Sequence, residues 1–284
     1  MTPEPRSSTH GARASGSVPA QPAGTRRRYS PGALGKVWFV GAGPGAADLL
    51  TLRGARVIAA ADVVVWAASL VQPEVVAGAG GERLDSSHMT LEEVCAVYDR
   101  AAANGLQVAR VHSGDPSLYG AIGEQIAYCD RLGLGWEIVP GVSSLAAAAA
   151  VAGRELTVPE VGQSVIITRL PTATPMPPGE EVRELARHGT TMALFLSAKR
   201  GRRLQEELLA GGYPPDTPCL VAYRVTWPEE LLAWCRLDEL ARTLREARLH
   251  KHTLILVGPA LAAEGTRSHL YDPTFAHEFR AAHP

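Results

Sequence analysis

The chain has 284 residues, of which 46% are hydrophobic, and a formal net charge of −1. This length permits one large domain or two ordinary ones with a substantial core. The nearly balanced charge argues against a dedicated nucleic-acid-binding protein. The longest weakly polar run, residues 57–71, is too short to span a bilayer, so no membrane partner is predicted.

Four cysteines lie far apart in the sequence, and none belongs to a Cys-x-x-Cys pair. We therefore predict no metal site and no redox motif. The thiols are interpreted as reduced core side chains of a cytoplasmic protein.

Residues 1–35 are rich in Pro, Gly, Ser, Ala and Arg and contain almost no large apolar side chain. Such a segment cannot bury enough surface to become ordered. We therefore predict a disordered tail over residues 1–35 and exclude it from the fold.

The first predicted strand, Lys36 to Val40, runs into the glycine-rich turn Gly41–Ala46. A helix is predicted to follow from Asp48, and the order strand, glycine-rich turn, helix is the outline of a phosphate-binding site. Two details argue against a dinucleotide. Pro44 removes an N–H from the turn, and Asp62 precedes the second predicted strand rather than ending it.

A second turn, Ser113-Gly114-Asp115-Pro116, follows the strand predicted for residues 107–111. Gly114 permits backbone conformations that other residues resist, and Pro116 ends the strand. Asp115 is then placed at the carboxyl end of a strand, where open α/β sheets bind ligands. Two interpretations stay open from these residues alone: the carboxylate accepts hydrogen bonds from a ligand, or it caps the helix that follows.

Helices are predicted on both sides of this turn, over residues 90–103 and 119–132. The first has a clear start signal, because Thr90 and Glu93 have the spacing of a capping box. Its apolar residues share one face, as expected for a helix that packs on a sheet.

A third turn follows the strand predicted for residues 136–139 and begins with Pro140-Gly141. Ser143 and Ser144 then open an alanine-rich helix over residues 145–152. The serines either cap this helix or face a ligand at its N-terminus. Because strands and helices alternate up to this point, we predict a parallel sheet with all three turns at one edge.

The pattern restarts after residue 153, and two of the later strands, 219–224 and 230–236, are expected to be antiparallel neighbours. We therefore predict an α/β fold with two domains. Residues 36–155 form an N-terminal domain with a parallel sheet, and residues 156–263 form a C-terminal domain with a mixed sheet. A polar tail is predicted over residues 264–284.

Predicted strand ends in the second half carry Arg169 and Arg224. A guanidinium suits bidentate binding of a carboxylate, so these two are the first candidates for a ligand with several carboxylates. No histidine pair has metal-ligand spacing. His112 is kept as a candidate because it directly precedes Ser113-Gly114-Asp115.

Six segments form a set of motifs in a fixed order: Val40–Gly45, Ser69–Val71, His112–Gln125, Val139–Ser144, Glu155–Glu160 and Val165–Arg169. Together they resemble the tetrapyrrole methylases, which are S-adenosylmethionine-dependent enzymes of the sirohaem and corrin pathways. The resemblance covers roughly residues 36 to 261. Trp227-Pro228, together with residues 69–71 and 112–125, indicates a branch that acts on a precorrin.

The resemblance implies a homodimer of two-domain chains, with S-adenosylmethionine in the cleft between the domains. Carried over position by position, it implies the following contacts to this cofactor: Pro44, Ser113, Gly114, Asp115, Leu118, Ser143, Ser144, Leu196, Tyr223, Arg224 and Thr253. His112, Tyr119 and Arg169 are expected to face the tetrapyrrole.

Two departures from the family pattern concern acidic residues. Ala46 stands where relatives often have an aspartate, and Trp66-Ala67-Ala68-Ser69 is alanine-rich where many relatives have one. We therefore name no general base. Methyl transfer from a sulfonium to an electron-rich carbon requires alignment above all, and orientation alone contributes roughly 7–11 kcal/mol in favourable cases.

The activity implied by the resemblance is transfer of a methyl group to C-11 of precorrin-4 in cobalamin biosynthesis. Cobalt-precorrin-4, or another carbon of the ring, is the near alternative. A module that holds a nucleotide without chemistry is an alternative of another class. A nicotinamide or flavin oxidoreductase is suggested only by Gly41-x-Gly43-x-x-Ala46.

Overall fold

A computed structural model describes residues 35–265 and 268–281 of the chain. The predicted disordered tail lies, apart from Gly35, outside the described residues. The described residues contain two five-stranded sheets, the first entirely parallel and the second mixed. The predicted α/β fold with one parallel and one mixed sheet is confirmed.

The first sheet has the strand order β3-β2-β4-β1-β5. Its strands are β1 (Lys36–Gly41), β2 (Val63–Trp66), β3 (Glu82–Asp85), β4 (Gln107–His112) and β5 (Gly135–Val139). From β1 the chain moves to one side as far as β3, and then returns through β4 to β5 on the other side. The carboxyl ends of β1 and β4 therefore lie at the switch point, where open α/β sheets bind ligands.

Helices cover both faces of this sheet. One face packs against α1 (Leu52–Ala60), and the other against α2 (Leu91–Asn104) and α3 (Gly123–Leu132). Buried valines from alternate positions of the central strands supply the two apolar surfaces, as expected for strands covered on both sides.

The second sheet has the strand order β6-β7-β10-β8-β9. Its strands are β6 (Val165–Arg169), β7 (Thr191–Phe195), β8 (Pro218–Tyr223), β9 (Leu231–Arg236) and β10 (Thr253–Val257). β6 and β7 are parallel, and the other neighbours are antiparallel, including the predicted β8–β9 pair.

One face of the second sheet packs against α5 (Val182–Ala186), α6 (Gly201–Ala210) and α7 (Leu240–Glu246). The opposite face packs against α4 (Ser144–Val151) through Ala147 and Ala148. Because α4 begins just beyond β5 of the first sheet, this alanine-rich helix joins the two sheets.

One of the predicted helix starts is confirmed by the structure and another is wrong. α2 has the predicted capping box, since the Glu93 N–H donates to Thr90 Oγ1 (3.3 Å) and the Thr90 N–H donates to Glu93 Oε2 (2.7 Å). α1 begins later than predicted, because Thr51 rather than Asp48 caps it by accepting from the Gly54 N–H.

α3 also begins later than predicted. Tyr119 and Ala121 have positive φ angles of 58° and 48°, which an α-helix does not allow, so the helix starts at Gly123. β3 was not predicted at all. It has only four residues, three of them charged, and it lies at the edge of its sheet, where short charged strands are common.

Both sheets belong to one compact unit, so the domain boundary at residues 155/156 stays a prediction. Beyond residue 263, within the predicted polar tail, His269–Tyr271 form a 3-10 turn. None of the helices in the described part of the chain has the length and apolarity that crossing a membrane requires.

Candidate functional site

Three turns meet at the carboxyl edge of the first sheet, as the sequence predicted. Gly43 and Gly114 exchange backbone hydrogen bonds of 3.2 and 2.8 Å. A Cβ on Gly141 would lie 2.2 Å from the Gly114 carbonyl oxygen, and one on Gly41 would lie 2.5 Å from Gly141 Cα. Each turn therefore needs glycine because the three backbones pack directly against one another.

Asp115 joins the second turn to the third. The Gly141 N–H donates to Asp115 Oδ2 (2.9 Å), and the Ser117 N–H donates to Oδ1 (2.8 Å). Since α3 begins only at Gly123, this carboxylate does not cap a helix. It is half-buried and it fixes the relative position of two of the turns.

The third turn ends at the N-terminus of α4. Ser143 caps this helix, because its Oγ accepts from the Leu145 N–H (3.2 Å), and Ser144 is the first helical residue. Both serines are half-buried. Ser143 Cα and Ser144 N lie 3.8 and 3.9 Å from the point that a Cβ of Gly114 would occupy, so the helix start directly faces the second turn.

The second turn presents further candidate side chains. Ser113 is exposed and Leu118 is half-buried. Tyr119 is 44% exposed, and its ring centroid lies 5.3 Å from that of Phe195, the last residue of β7. Leu196 follows directly and is 62% exposed. Tyr119 of the first half of the chain thus reaches the end of β7 in the second sheet.

Tyr223, Arg224 and Thr253 form another group of predicted site residues. Tyr223 pairs with Thr253 across β8 and β10, and the Arg224 N–H donates to the carbonyl of His252 (2.9 Å). The Arg224 guanidinium bonds to Glu229 (3.2 Å) and lies over the rings of Tyr223 and Trp227. It is therefore partly paired within its own turn, while its buried Nε has no hydrogen-bond partner among the described residues.

The turn after β8 contacts the turn after β1. Trp227 Nε1 donates to the carbonyl of Pro44 (3.0 Å), and the Ala46 N–H donates to Thr226 Oγ1 (3.0 Å). A Cβ on Gly45 would lie 2.2 Å from the Trp227 ring. These contacts place Pro44, which is buried, beside the Arg224 turn.

Sequence reasoning did not assign Thr226 and Trp227 to the site. Their signal is Trp227-Pro228, which was noted only as a point of resemblance. A contact across about 180 positions leaves no trace in local periodicity, so it becomes visible only when both sheets are in place.

Backbone strain is concentrated at this site. Leu196, Arg224 and Tyr119 have φ angles of 51°, 44° and 58°, and neighbouring Thr226 and His252 have 67° and 52°. Non-glycine residues avoid this left-handed region. Such strain persists only where the surroundings impose it, and it is common at ligand sites.

Arg169 holds its own loop. Its guanidinium donates to the carbonyls of Leu170, Thr174 and Pro175, at 3.1 to 3.4 Å. Carbonyl oxygens are weaker partners than a carboxylate would be. The arrangement therefore positions the arginine at the end of β6 but leaves it engaged with the loop that follows.

His112 ends β4 and is 9% exposed. Burial, followed by the nearby charge of Arg110, lowers the pKa of His112 from 6.5 to about 3. The imidazole is therefore neutral at physiological pH. Its Nε2 is buried and has no hydrogen-bond partner among the residues that the structure describes.

The sequence of residues 36–241 matches the family described as Tetrapyrrole (Corrin/Porphyrin) Methylases. The chain is 43% identical over 251 residues to a cobalt-precorrin-4 C(11)-methyltransferase of Methanocaldococcus jannaschii, covering 87% of this chain and 97% of the relative. It is 44% identical over 239 residues to a precorrin-4 C(11)-methyltransferase of Mycobacterium tuberculosis, covering 83% and 95%.

The fold is also similar to those of solved methyltransferase structures. A cobalt-precorrin-4 methyltransferase, CbiF, has a TM-score of 0.77 and 42% identity, covering 80% of this chain and 95% of that one. A uroporphyrin-III C-methyltransferase of Thermus thermophilus, complexed with S-adenosylhomocysteine, has a TM-score of 0.69 and 30% identity, covering 80% and 99%.

Proposed function

The chain belongs to the tetrapyrrole (corrin/porphyrin) methylases, and from that premise we propose that it methylates C-11 of precorrin-4 in cobalamin biosynthesis. The methyl donor is S-adenosylmethionine. Relatives more than 40% identical over most of their length carry this activity in their names. The observation in this chain that supports the proposal best is the meeting of the three glycine turns at the switch point of the parallel sheet.

The residues around this junction suit an adenosyl ligand. Leu196 combines a strained backbone with an exposed apolar side chain, and an adenine ring that covered it would remove that surface from water. Ser113 offers an exposed hydroxyl, and the N-terminus of α4 offers backbone N–H groups. We propose that these groups hold the cofactor together with Pro44, Gly114, Asp115, Leu118, Tyr223, Arg224 and Thr253.

The bound sulfonium supplies the methyl group as an electrophile, and the electron-rich macrocycle supplies the carbon nucleophile. The task of this chain is then to align the two. Asp115 fixes two of the turns through backbone N–H groups, so its role is to keep the cofactor pocket in one shape. A rigid pocket favours in-line transfer because less orientational freedom is lost in the reaction.

We propose that the macrocycle contacts His112, Tyr119 and Arg169. A neutral imidazole, a partly exposed phenol ring and a guanidinium together suit a ligand that is flat, apolar in its centre and acidic at its rim. Cobalt-precorrin-4 is the alternative substrate, since named relatives divide between the two.

We further propose a homodimer in the cytoplasm. The homodimer follows from the family resemblance, and light scattering of the purified protein tests it. The four cysteines are unpaired in the structure, which suits a reducing compartment.

Incubation with methyl-labelled S-adenosylmethionine and precorrin-4 tests the activity. The expected product carries one additional labelled methyl group, which NMR places at C-11. A label at another ring carbon would contradict the proposed position, and retention of all label on the cofactor would contradict the activity. Parallel incubations with and without cobalt in the macrocycle identify the preferred substrate.

A further inference from the structure

A partly buried arginine, Arg110, lies in the middle of β4, beside the buried His112. Arg110 follows Val108 and Ala109, which are completely buried. Its side chain lies on the face of the sheet that α2 and α3 cover. Three neutral oxygens accept its hydrogen bonds: Gln125 Oε1 (3.3 Å), Ser86 Oγ (3.0 Å) and the carbonyl of Val65 (3.4 Å).

No carboxylate balances this guanidinium. Arg110 belongs to none of the ion pairs in the described residues. Partial removal from water disfavours the charged form and lowers the pKa of Arg110, yet an arginine remains protonated at physiological pH. An apolar side chain of similar size usually gives equal or greater stability than a partly buried charge that has no opposite charge beside it. Stability alone therefore does not explain the arginine.

The guanidinium extends toward the carboxyl edge of the sheet, since it reaches Ser86 just beyond β3. Ser86 directly follows the last residue of β3. Gln125, itself held by the Tyr98 hydroxyl (2.7 Å), donates to the carbonyl of Ala121 in the strained turn after Tyr119. Arg110 is therefore connected through Gln125 to the turn that follows Tyr119, one of the predicted tetrapyrrole contacts.

A second polar side chain, that of His112, lies on the same face of the sheet. His112 is two positions beyond Arg110, so both side chains point to the same side of β4. The buried Nε2 of His112 has no hydrogen-bond partner within the described part of the chain. The hydrogen bonds of Arg110 in that part come from Nε and Nη1, which leaves Nη2 for another acceptor. Two adjacent polar side chains with unused hydrogen-bonding groups indicate that a ligand completes them.

We infer that the Arg110 guanidinium binds a carboxylate at the rim of the tetrapyrrole, with the neutral His112 imidazole beside it. For the identity of that ligand, the inference rests on the proposed function. An acetate or propionate group would supply the missing negative charge, and the guanidinium presents its N–H groups in a geometry that matches a carboxylate. Arg169 is less suited to this role, because carbonyls of its own loop already accept its hydrogen bonds.

The variants Arg110→Met and Arg110→Lys test the inference, with Arg56→Met as the matched control. Arg56 is exposed on α1, which covers the opposite face of the sheet. We expect Arg110→Met to raise the KM for precorrin-4 about ten- to a hundredfold, the effect of losing a charge-assisted hydrogen bond. Its affinity for S-adenosylhomocysteine and its thermal midpoint should stay at or above the wild-type values. Arg56→Met should change neither KM nor midpoint.

A purely structural role predicts the reverse pattern. A lower thermal midpoint together with an unchanged KM in Arg110→Met would overturn the inference. If this variant does not fold, Arg110→Lys decides, because lysine keeps the charge but loses the planar fork. A several-fold higher KM at unchanged S-adenosylhomocysteine affinity supports the inference, and an unchanged KM overturns it.

A binding measurement distinguishes failure of the proposed function from failure of this inference. If the wild-type protein does not methylate precorrin-4, the inference is tested by binding alone, with uroporphyrin III as the carboxylate-bearing probe and tryptophan fluorescence as the signal. An approximately tenfold weaker affinity in Arg110→Met would support the carboxylate subsite. Equal affinities would overturn it.

Discussion

The two sheets contribute to the candidate site in physically different ways. At the edge of the first sheet, glycines allow three turns to pack backbone against backbone, and the hydrogen bonds run between main-chain groups and one carboxylate. At the edge of the second, larger residues such as Leu196 and Arg224 occupy backbone conformations that favour glycine.

The two edges therefore serve different purposes: the first fixes the positions of the turns, and the second presents side chains. A junction of glycine backbones has no side chains to rearrange, so it fixes the positions of the turns closely. A junction of strained larger residues places side chains toward a ligand at a cost in stability. We infer that the glycine junction of the first edge sets the geometry of the pocket and that the strained residues of the second edge add ligand-facing side chains to it.

Gly141→Ala should break the first junction most severely. Its Cβ would lie 2.2 Å from the Gly114 carbonyl oxygen, so the turns must move apart. We expect a loss of roughly 3 kcal/mol in the free energy of unfolding, measured by denaturant titration, and loss of methyl transfer. Gly123→Ala is the control, because no atom lies within 4 Å of its added Cβ. Equal stability of the two variants would refute the close-packing argument.

Asp115→Ala should have the next largest effect. It removes the acceptor of the Ser117 and Gly141 N–H groups, and we expect a loss of about 2 kcal/mol in unfolding free energy. Because the third turn is then released, the affinity for S-adenosylhomocysteine should also fall, as calorimetry can show. Asp115→Asn keeps one carbonyl oxygen, so its unfolding free energy and its affinity for S-adenosylhomocysteine should lie between those of the wild type and of Asp115→Ala.

Asp48→Ala is the matched control for Asp115. Asp48 is exposed in the first turn of the same sheet edge. Its removal should leave the unfolding free energy and the affinity for S-adenosylhomocysteine unchanged. An Asp115→Ala protein with wild-type cofactor affinity would argue against a role for this carboxylate in shaping the pocket.

The contrast between the two edges also explains what the sequence could predict. Gly41, Gly114 and Gly141 follow apolar strands, so the positions of the turns and their common edge could be inferred from local patterns. Trp227 and Pro44 meet across 183 positions, and the positive φ angle of Leu196 arises from tertiary packing. Neither leaves a local signal, although the resemblance pointed to Pro44 and Leu196.

Arg110 marks another limit of local reading. It stands within the apolar run Val108–Val111, and a charge there is itself an anomaly for a buried strand. The apolar neighbours of Arg110 predict a strand, and this pattern gives no reason to assign the arginine to a site. Strand ends predict Arg169 and Arg224 instead, and the structure places both in contact with their own loops.

The histidines of the two edges should differ in their effect on stability. The unfolded chain protonates His112 near pH 6.5, while burial keeps the folded side chain neutral down to about pH 3. The unfolded state then binds more protons below pH 6.5, so stability is complete above that pH and decreases as the pH falls. The slope from this group approaches about 1.4 kcal/mol per pH unit.

Denaturant titrations of wild-type protein and His112→Gln between about pH 5 and pH 8 measure this slope. The variant should lose stability less steeply on acidification. His252 serves as the comparison. It lies at the second edge and is less buried, and burial followed by Arg224 lowers its pKa, so His252→Gln should change the slope less. Identical slopes in wild type and His112→Gln would contradict the buried neutral state.

The smallest effect, and the one that isolates strain, is expected for Leu196→Gly. Leu196 has a φ angle of 51° and is 62% exposed, so glycine relieves the conformation while little apolar burial is lost. Relief of roughly 1–2 kcal/mol, less about 0.5–1 kcal/mol for the greater freedom of glycine in the unfolded chain, leaves a small net gain in unfolding free energy. The affinity for S-adenosylhomocysteine should fall, because the apolar side chain is gone. Leu52→Gly is the control: Leu52 is also exposed but is the first residue of α1, where glycine relieves no strain and its greater freedom in the unfolded chain costs about 0.5–1 kcal/mol. A gain in unfolding free energy for Leu196→Gly together with a loss for Leu52→Gly would demonstrate that the second edge retains strain for ligand contact. A loss in both variants would mean that Leu196 is held without strain.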